Sequence, residues 1–425
     1  MLKEKNVILT GDFLYLLRVL FLGALNDNVL KNAFMVLIAF SSYHILNISE
    51  GHMLSLAAII YITPFIIFSS YAGKLADSSD KARIIRIIKL CEIIIIVVAV
   101  IAFIYHQVAV LLLCLFCMGI HSAFFGPIKY AIVPDYLPKI SLVIANGYIE
   151  IGTFSAILLG QTIGSLTMAN GHFYLLFAIM LFISCNGYYL STKLHSVPVI
   201  NHELQFSKNI IKDSWLMYKL VTKDKRIALN LHSISWFWAI GLIFTTELPI
   251  LIKNYIGGNA HVFSMLLVLF TPGIGIGSLI CSKLSHSVVK RHYALLGGLC
   301  MSLGFFILLL MHRNIETHYL NLNEFIHSCD GVLLIINCLF IGLAAGFYSV
   351  TCYNEIQLIS PNNIRAQIIS ANNILNSIYM VVAMIISSLL LTVVSVWWVL
   401  MIVAILNILF MSLYIYKSFL NYSAS

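Results

Sequence analysis

Apolar residues run along this chain in long blocks separated by short polar stretches, and each block is long enough to cross about 30 Å of hydrocarbon as a helix. The pattern predicts twelve helices, at 13–42, 52–72, 84–105, 108–128, 142–168, 172–190, 228–252, 261–282, 293–312, 331–351, 366–394 and 396–416. Helix 1 breaks its own pattern. The run Phe21-Leu22-Gly23-Ala24-Leu25-Asn26-Asp27-Asn28-Val29-Leu30-Lys31-Asn32 sets an acid, a base and several amides inside an otherwise apolar span. A charge at the bilayer centre costs about 2.5 to 3.5 kcal/mol on insertion scales, so such a residue points to function. Asp27 and Lys31 lie one helical turn apart and are expected to pair.

Composition agrees with the pattern and narrows it. Of 425 residues 60% are hydrophobic and 10% charged, where a soluble globule carries about 25% charged residues. The chain is therefore expected to be an all-α polytopic membrane protein. Its net charge of +8 is first a topology signal. Lys253 and Arg313 fall on one side of the predicted spans, Arg18 and Lys31 fall inside helix 1, and the other Lys and Arg, Lys89 among them, are assigned to the opposite side. The positive-inside rule then puts both termini in the cytoplasm. Because the basic residues are spread over separate loops, nucleic acid is not an expected partner. The N-terminus carries no cleavable-signal pattern, so helix 1 is expected to act as the targeting signal. Among nine cysteines only Cys329 falls in an outward loop, which leaves no exported disulfide partner, and Cys114 and Cys117 in helix 4 read as packing residues.

A basic, polar segment divides the chain into an N-terminal six-helix half at 1–190, a linker at 191–227 and a C-terminal six-helix half at 228–425. Within the linker, 210–220 has the pattern of an amphipathic surface helix. The halves match each other weakly. Thr63-Pro64, Ile66, Ser70 and Arg83 coincide with Thr271-Pro272, Ile274, Ser278 and Arg291 at one constant offset. Ala145-Asn146, Lys139 and Glu150 coincide with Ala371-Asn372, Arg365 and Asn376 at a second, and the outward loop from Arg313 to Asp330 has the length that separates the two offsets. An internal duplication is expected.

Two matching six-helix halves are the plan of the major facilitator fold, and the stretch Gly73-Lys74-Leu75-Ala76-Asp77-Ser78-Ser79-Asp80-Lys81-Ala82-Arg83 resembles that superfamily's signature between helices 2 and 3. The resemblance implies a gating motif of Gly73, Asp77, Lys81 and Arg83. The chain departs from it by placing Ser78 where a base is usual and Asp80 where a glycine is usual. Further stretches resemble the lysophospholipid transporter family, including its members joined to acyltransferase and acyl-activating domains. They are Phe21 to Asn28, Phe125-Gly126-Pro127-Ile128-Lys129-Tyr130-Ala131-Ile132, Ala145-Asn146-Gly147-Tyr148-Ile149-Glu150, Ser235-Trp236-Phe237-Trp238 and Gly273-Ile274-Gly275-Ile276-Gly277-Ser278. This second resemblance implies a secondary transporter, working by alternating access, that moves lysophospholipid across the bacterial inner membrane for re-acylation. The alternative cargo is another amphipathic or polar small molecule, such as a siderophore or drug. An enzyme is not expected: the His and Asp spacing of glycerolipid acyltransferases occurs at none of the 14 histidines, so re-acylation would fall to a separate acyltransferase.

The facilitator plan brings helices 1, 5, 7 and 11 toward a central cavity. The residues expected there are Asn26, Asp27 and Lys31 from helix 1, Asn146 and Glu150 from helix 5, Glu247 from helix 7 and Asn376 from helix 11. A zwitterionic head group needs a carboxylate for its ammonium and a base for its phosphate, and this set supplies both signs. Whether Asp27 and Lys31 touch cargo or only lock helix 1 stays open here, as does a coupling ion, proton or sodium. Arg18 is expected at the cytoplasmic surface, and Glu247 is compatible with a rim position. Gly160 and Gly164 have small-residue spacing for close helix contact, and Trp236 to Trp238 are more in keeping with core or lipid contact than with cargo. No cofactor is expected, and no histidine pair has metal-ligand spacing.

Overall fold

A computed structural model describes residues 11–40, 49–137, 142–197, 215, 218–219, 222–285, 292–310, 321–359 and 365–423. Twelve long helices follow one another: α1 (Asp12–Phe40), α2 (Glu50–Ser78), α3 (Lys81–Ile104), α4 (Val108–Ala131), α5 (Leu142–Ala169), α6 (Phe173–Ser191), α7 (Lys225–Leu251), α8 (Ala260–Ser285), α9 (His292–Leu310), α10 (Cys329–Ile359), α11 (Arg365–Leu390) and α12 (Val396–Ser423). Eleven of these are long and apolar enough to cross a membrane among the described residues, and α5 contributes the shorter apolar stretch Ser155–Ala169. Several helices outrun their apolar blocks, because a polar cap rather than the end of hydrophobicity stops them. Asp80 accepts from the Ala82 amide to start α3, and Asp224 accepts from the Arg226 amide to start α7. A single π turn, Ile252–Ile256, continues α7 beyond Pro249 and closes on Gly257, whose φ of 74° is left-handed. The stretch between α9 and α10 holds a short helix, Leu322–His327, started by a reciprocal capping box between Asn321 and Glu324.

The described residues fall into two compact units. One is Met1–Phe34 with Ile60–Trp215, and the other is Met35–Ile59 with Leu216–Ser425. In the first unit α3 packs on α4 and α6. Its α5 meets α1 at Gly160 and Gly164, where an added Cβ would stand 2.4 Å from the Leu25 and Val29 carbonyl oxygens. The expected close helix contact is therefore present, and it is backbone to backbone. In the second unit α8 packs on α10 through Gly277, whose Cβ would lie 2.2 Å from the Leu343 carbonyl, while α9 packs on α10 and α12 and α7 on α11. Large apolar side chains such as Ile94, Phe182, Leu310 and Leu409 are exposed, as helices facing lipid require. Most of the surface helix expected at 210–220 lies outside the described residues.

Candidate functional site

The polar run of α1 is buried in the first unit, and what it meets is charged. Asn26 donates through Nδ2 to Glu92 Oε1 at 2.9 Å and, more weakly, to the Met180 carbonyl at 3.4 Å. Lys89 Nζ donates to Glu92 Oε2 at 2.6 Å, and both residues are 0% exposed. Lys89 was assigned above to the topology-setting charges of one membrane face. The structure corrects that assignment, because three residues before Glu92 its ammonium turns inward. Two glycines make room for it: a Cβ on Gly23 of α1 would stand 2.7 Å from Lys89 Nζ, and one on Gly187 of α6 would stand 3.4 Å away. The ammonium also lies 5.2 Å from the centre of the Phe125 ring.

Asp27 does not form the expected ion pair with Lys31. Its Oδ2 accepts instead from the hydroxyls of Ser122 on α4 and, at 3.5 Å, Tyr61 on α2. Its Oδ1 has no hydrogen-bond partner and faces His121 Nδ1 at 3.7 Å. The other ring nitrogen of His121 is 3.1 Å from Glu92 Oε2, and the imidazole stacks on Phe125 with centroids 5.7 Å apart. Lys31 is half-buried and places its ammonium 5.9 Å from the centre of the Tyr61 ring. Among the described residues no carboxylate lies within ion-pair distance of it. The pair fails because two hydroxyls reach Asp27 from other helices, a competition that spacing within α1 cannot reveal.

The remaining expected site residues divide. Glu247 is 0% exposed, which removes the rim position: in the second unit its Oε1 accepts from Ser55 at 3.2 Å and Ser387 at 3.1 Å, and its Oε2 has no partner. Asn376 is buried and accepts from Ser235 at 2.8 Å. The side chains of Asn146, Glu150 and Asp77 lie outside the described residues, as do the surroundings of Gly73, and both signature residues fall in the last turns of α2. Lys81 of that signature is bound to Asp135 at 3.0 Å, and Arg83 is exposed. Asp80, the departure from the signature, accepts from the Ser196 hydroxyl at 2.6 Å and the Val197 amide at 3.1 Å as well as capping α3. Partial burial alone would raise its pKa, but these hydrogen bonds outweigh it and hold the carboxyl below its ordinary value. Arg18 is exposed. The aromatic run is half-buried and held by protein contacts: Trp236 donates to Asn407 and stacks on Phe410, and Trp238 donates to Tyr353.

Lys89, Glu92, His121, Ser122 and Tyr61 are the site residues that the sequence reading passed over. A signal existed for two of them, since Lys89 and Glu92 interrupt the apolar block of helix 3 as Asp27 and Lys31 interrupt that of helix 1. Among the described residues no group of three or more His, Cys, Asp or Glu is placed to hold a metal ion.

Many helices long and apolar enough to cross a membrane, with polar sites buried among them, define a multi-pass membrane protein. The profile of the Major Facilitator Superfamily matches residues 19–314, and the chain belongs to that superfamily. It is 22% identical over 333 residues to the lysophospholipid transporter LplT of Enterobacter sp. (strain 638), covering 78% of this chain and 76% of the relative. The LplT of Serratia proteamaculans (strain 568) is also 22% identical, over 358 residues, with coverage of 81% and 80%. Among solved structures, a POT family transporter in complex with a thioalcohol-conjugated peptide superimposes with a TM-score of 0.72 at 12% identity, over 96% of each chain, which is a likeness of fold. The chain is thus a secondary transporter rather than an enzyme.

Proposed function

We propose that this transporter moves lysophospholipid across the bacterial inner membrane by alternating access, with both termini in the cytoplasm. The observation that carries the reading is on α1. Asp27 keeps one carboxylate oxygen without a hydrogen bond, facing His121 Nδ1 at 3.7 Å, and Lys31, one turn away, has no carboxylate within ion-pair distance among the described residues. A zwitterionic head group complements both, its ammonium meeting Asp27 and its phosphate meeting Lys31. The LplT relatives, similar over about 80% of the chain, support the same cargo class. Asn26, Asn146, Glu150, Glu247 and Asn376 are the further residues proposed for cargo or a coupling ion, and Gly73, Asp77, Lys81 and Arg83 for gating. A separate acyltransferase would consume the lipid delivered.

Reconstitution into liposomes with fluorescent lyso-phosphatidylethanolamine tests this reading. Wild type is expected to move the lipid between leaflets, and Asp27→Asn and Glu150→Gln to slow it at unchanged folding. Failure of folded wild type to move it would remove lysophospholipid as cargo, and normal rates in both variants would remove the site.

A further inference from the structure

His121 stands between two buried carboxylates, and its ring cannot satisfy both while neutral. Asp27 Oδ1 faces Nδ1 at 3.7 Å and Glu92 Oε2 faces Nε2 at 3.1 Å, with the imidazole 5% exposed and Asp27 6%. Neither nitrogen is in hydrogen-bond alignment, and Asp27 Oδ1 has no other partner. A neutral imidazole has one N–H and one lone pair. Whichever tautomer forms, a lone pair is left facing a carboxylate oxygen in a medium of low dielectric, an unfavourable arrangement for both. One added proton removes the conflict in either of two ways. It makes an imidazolium that donates to both acids, or it sits on Asp27 as a carboxylic acid that donates to Nδ1.

We propose that Asp27, His121 and Glu92 form a proton-carrying site that couples cargo movement to a proton. This inference rests on the transport reading above. The site takes up one proton per cycle, and that proton passes between His121 Nδ1 and Asp27 Oδ1. As the N–H bond breaks its electron pair stays on nitrogen, and as the O–H bond forms imidazolium and carboxylate become imidazole and carboxylic acid. Every charged or titratable group facing the ring takes part in this balance. From α3, Lys89 and Glu92 neutralise each other at 2.6 Å. From α1 come Asp27 and, one turn on, Lys31, and from α2 the Tyr61 hydroxyl, which donates to Asp27. On α4 the nearest titratable neighbour in sequence is the thiol of Cys117, and α6 presents the Met180 carbonyl to the adjacent Asn26 and Gly187 to Lys89. Asp27, one turn from the half-buried Lys31, is the exchange point with cargo. Binding of a cationic ammonium there favours the ionised acid and drives the proton onto the ring.

The test pairs a transport measurement with one that needs no cargo. In proteoliposomes with the membrane potential clamped at zero, a one-unit pH gradient supplies about 1.36 kcal/mol per proton, or about tenfold lipid accumulation at one proton per cargo. Wild type is expected to show that accumulation, with lumenal pH changing in step. His121→Gln is expected to keep exchange at equal pH and lose the gradient effect. Wild type indifferent to the gradient, or His121→Gln still driven by it, would overturn the proposal. In the cargo-free arm, protons bound by purified protein are counted by potentiometric titration between about pH 5 and 9, a window that spans the ordinary imidazole range. His121→Gln and Asp27→Asn are each expected to bind one proton fewer than wild type, while His327→Gln, at an exposed histidine far from the site in sequence, serves as the control substitution. Equal counts in wild type and folded Asp27→Asn would overturn the proposal. If no lysophospholipid moves in any sample, the cargo reading fails and the titration alone decides this one.

Discussion

The two units solve the same packing problem with different chemistry. In the first, α3 is held to α1 and α4 by ions: Lys89, Glu92, His121 and Asp27 are buried together. In the second, α9 carries no Asp, Glu, Lys or Arg, and it is held by neutral amides and hydroxyls. Asn407 donates to the Gly298 carbonyl at 2.7 Å and to Ser302 at 2.9 Å, Ser302 donates to the Ala404 carbonyl, and Asn337 donates to the Gly304 carbonyl. A neutral network is thus enough to hold a helix of this kind in place. Charge in the first unit is more than the scaffold needs, and desolvating it costs several kcal/mol per ion before pairing offsets the cost. That surplus is the reason to assign function to the ions around α3 and structure to the neutral network around α9.

The largest effect should come from breaking the ionic core. Glu92→Gln leaves the Lys89 ammonium buried without its carboxylate and should destabilise the protein by about 3 to 5 kcal/mol, read by unfolding in mixed detergent. Replacing both residues, as Lys89→Met with Glu92→Leu, should recover much of that loss and leave transport impaired. Recovery of transport as well would reduce the ion pair to a packing element. Next comes steric contact, which both units share. Gly277→Ala and Gly160→Ala each force a Cβ onto a carbonyl oxygen and should cost about 1 to 3 kcal/mol, measured the same way.

The neutral core should respond less. Asn407→Leu strands the Trp236 N–H and the Gly298 carbonyl and should cost about 1 to 3 kcal/mol, with transport per folded molecule unchanged. A loss of transport greater than the loss of folded protein would break the division between the units. The smallest effect lies at the start of α3. Asp80→Ala removes a helix cap and should cost about 0.5 to 2 kcal/mol. Because the folded pKa of Asp80 is held below its ordinary value, its contribution is full above the ordinary carboxylate range and is lost as pH falls through the lowered folded value. Wild type should therefore lose more stability than Asp80→Ala on acidification below about pH 4, the ordinary Asp range, in pH-dependent melting.

Hydropathy revealed the helices and the anomaly in α1, because both are properties of one segment read in order. The partners of that anomaly are not. Asn26 meets Glu92 across 66 residues and Asp27 meets Ser122 across 95, distances at which spacing carries no information. Lys89 was misassigned for a related reason: a base near the end of an apolar block satisfies the positive-inside count whether it faces a loop or the core. Gly23 shows the converse. In sequence it is one small residue in a polar run, and only the fold reveals that it leaves space for the Lys89 ammonium. The role of Asp80 was legible only as a departure from a signature, and its cap and its two contacts near residue 196 account for that departure.

The central claim is that Asp27 and Lys31 read the two charges of a zwitterionic head group separately. The most direct measurement is the affinity of nanodisc-embedded protein for lyso-phosphatidylethanolamine and for lysophosphatidic acid, which lacks the ammonium, in wild type, Asp27→Asn and Lys31→Gln. Wild type should prefer the zwitterion. Asp27→Asn should lose that preference while still binding phosphate, and Lys31→Gln should weaken both lipids. A preference left intact in Asp27→Asn, with Lys31→Gln binding both lipids as wild type does, would contradict the account.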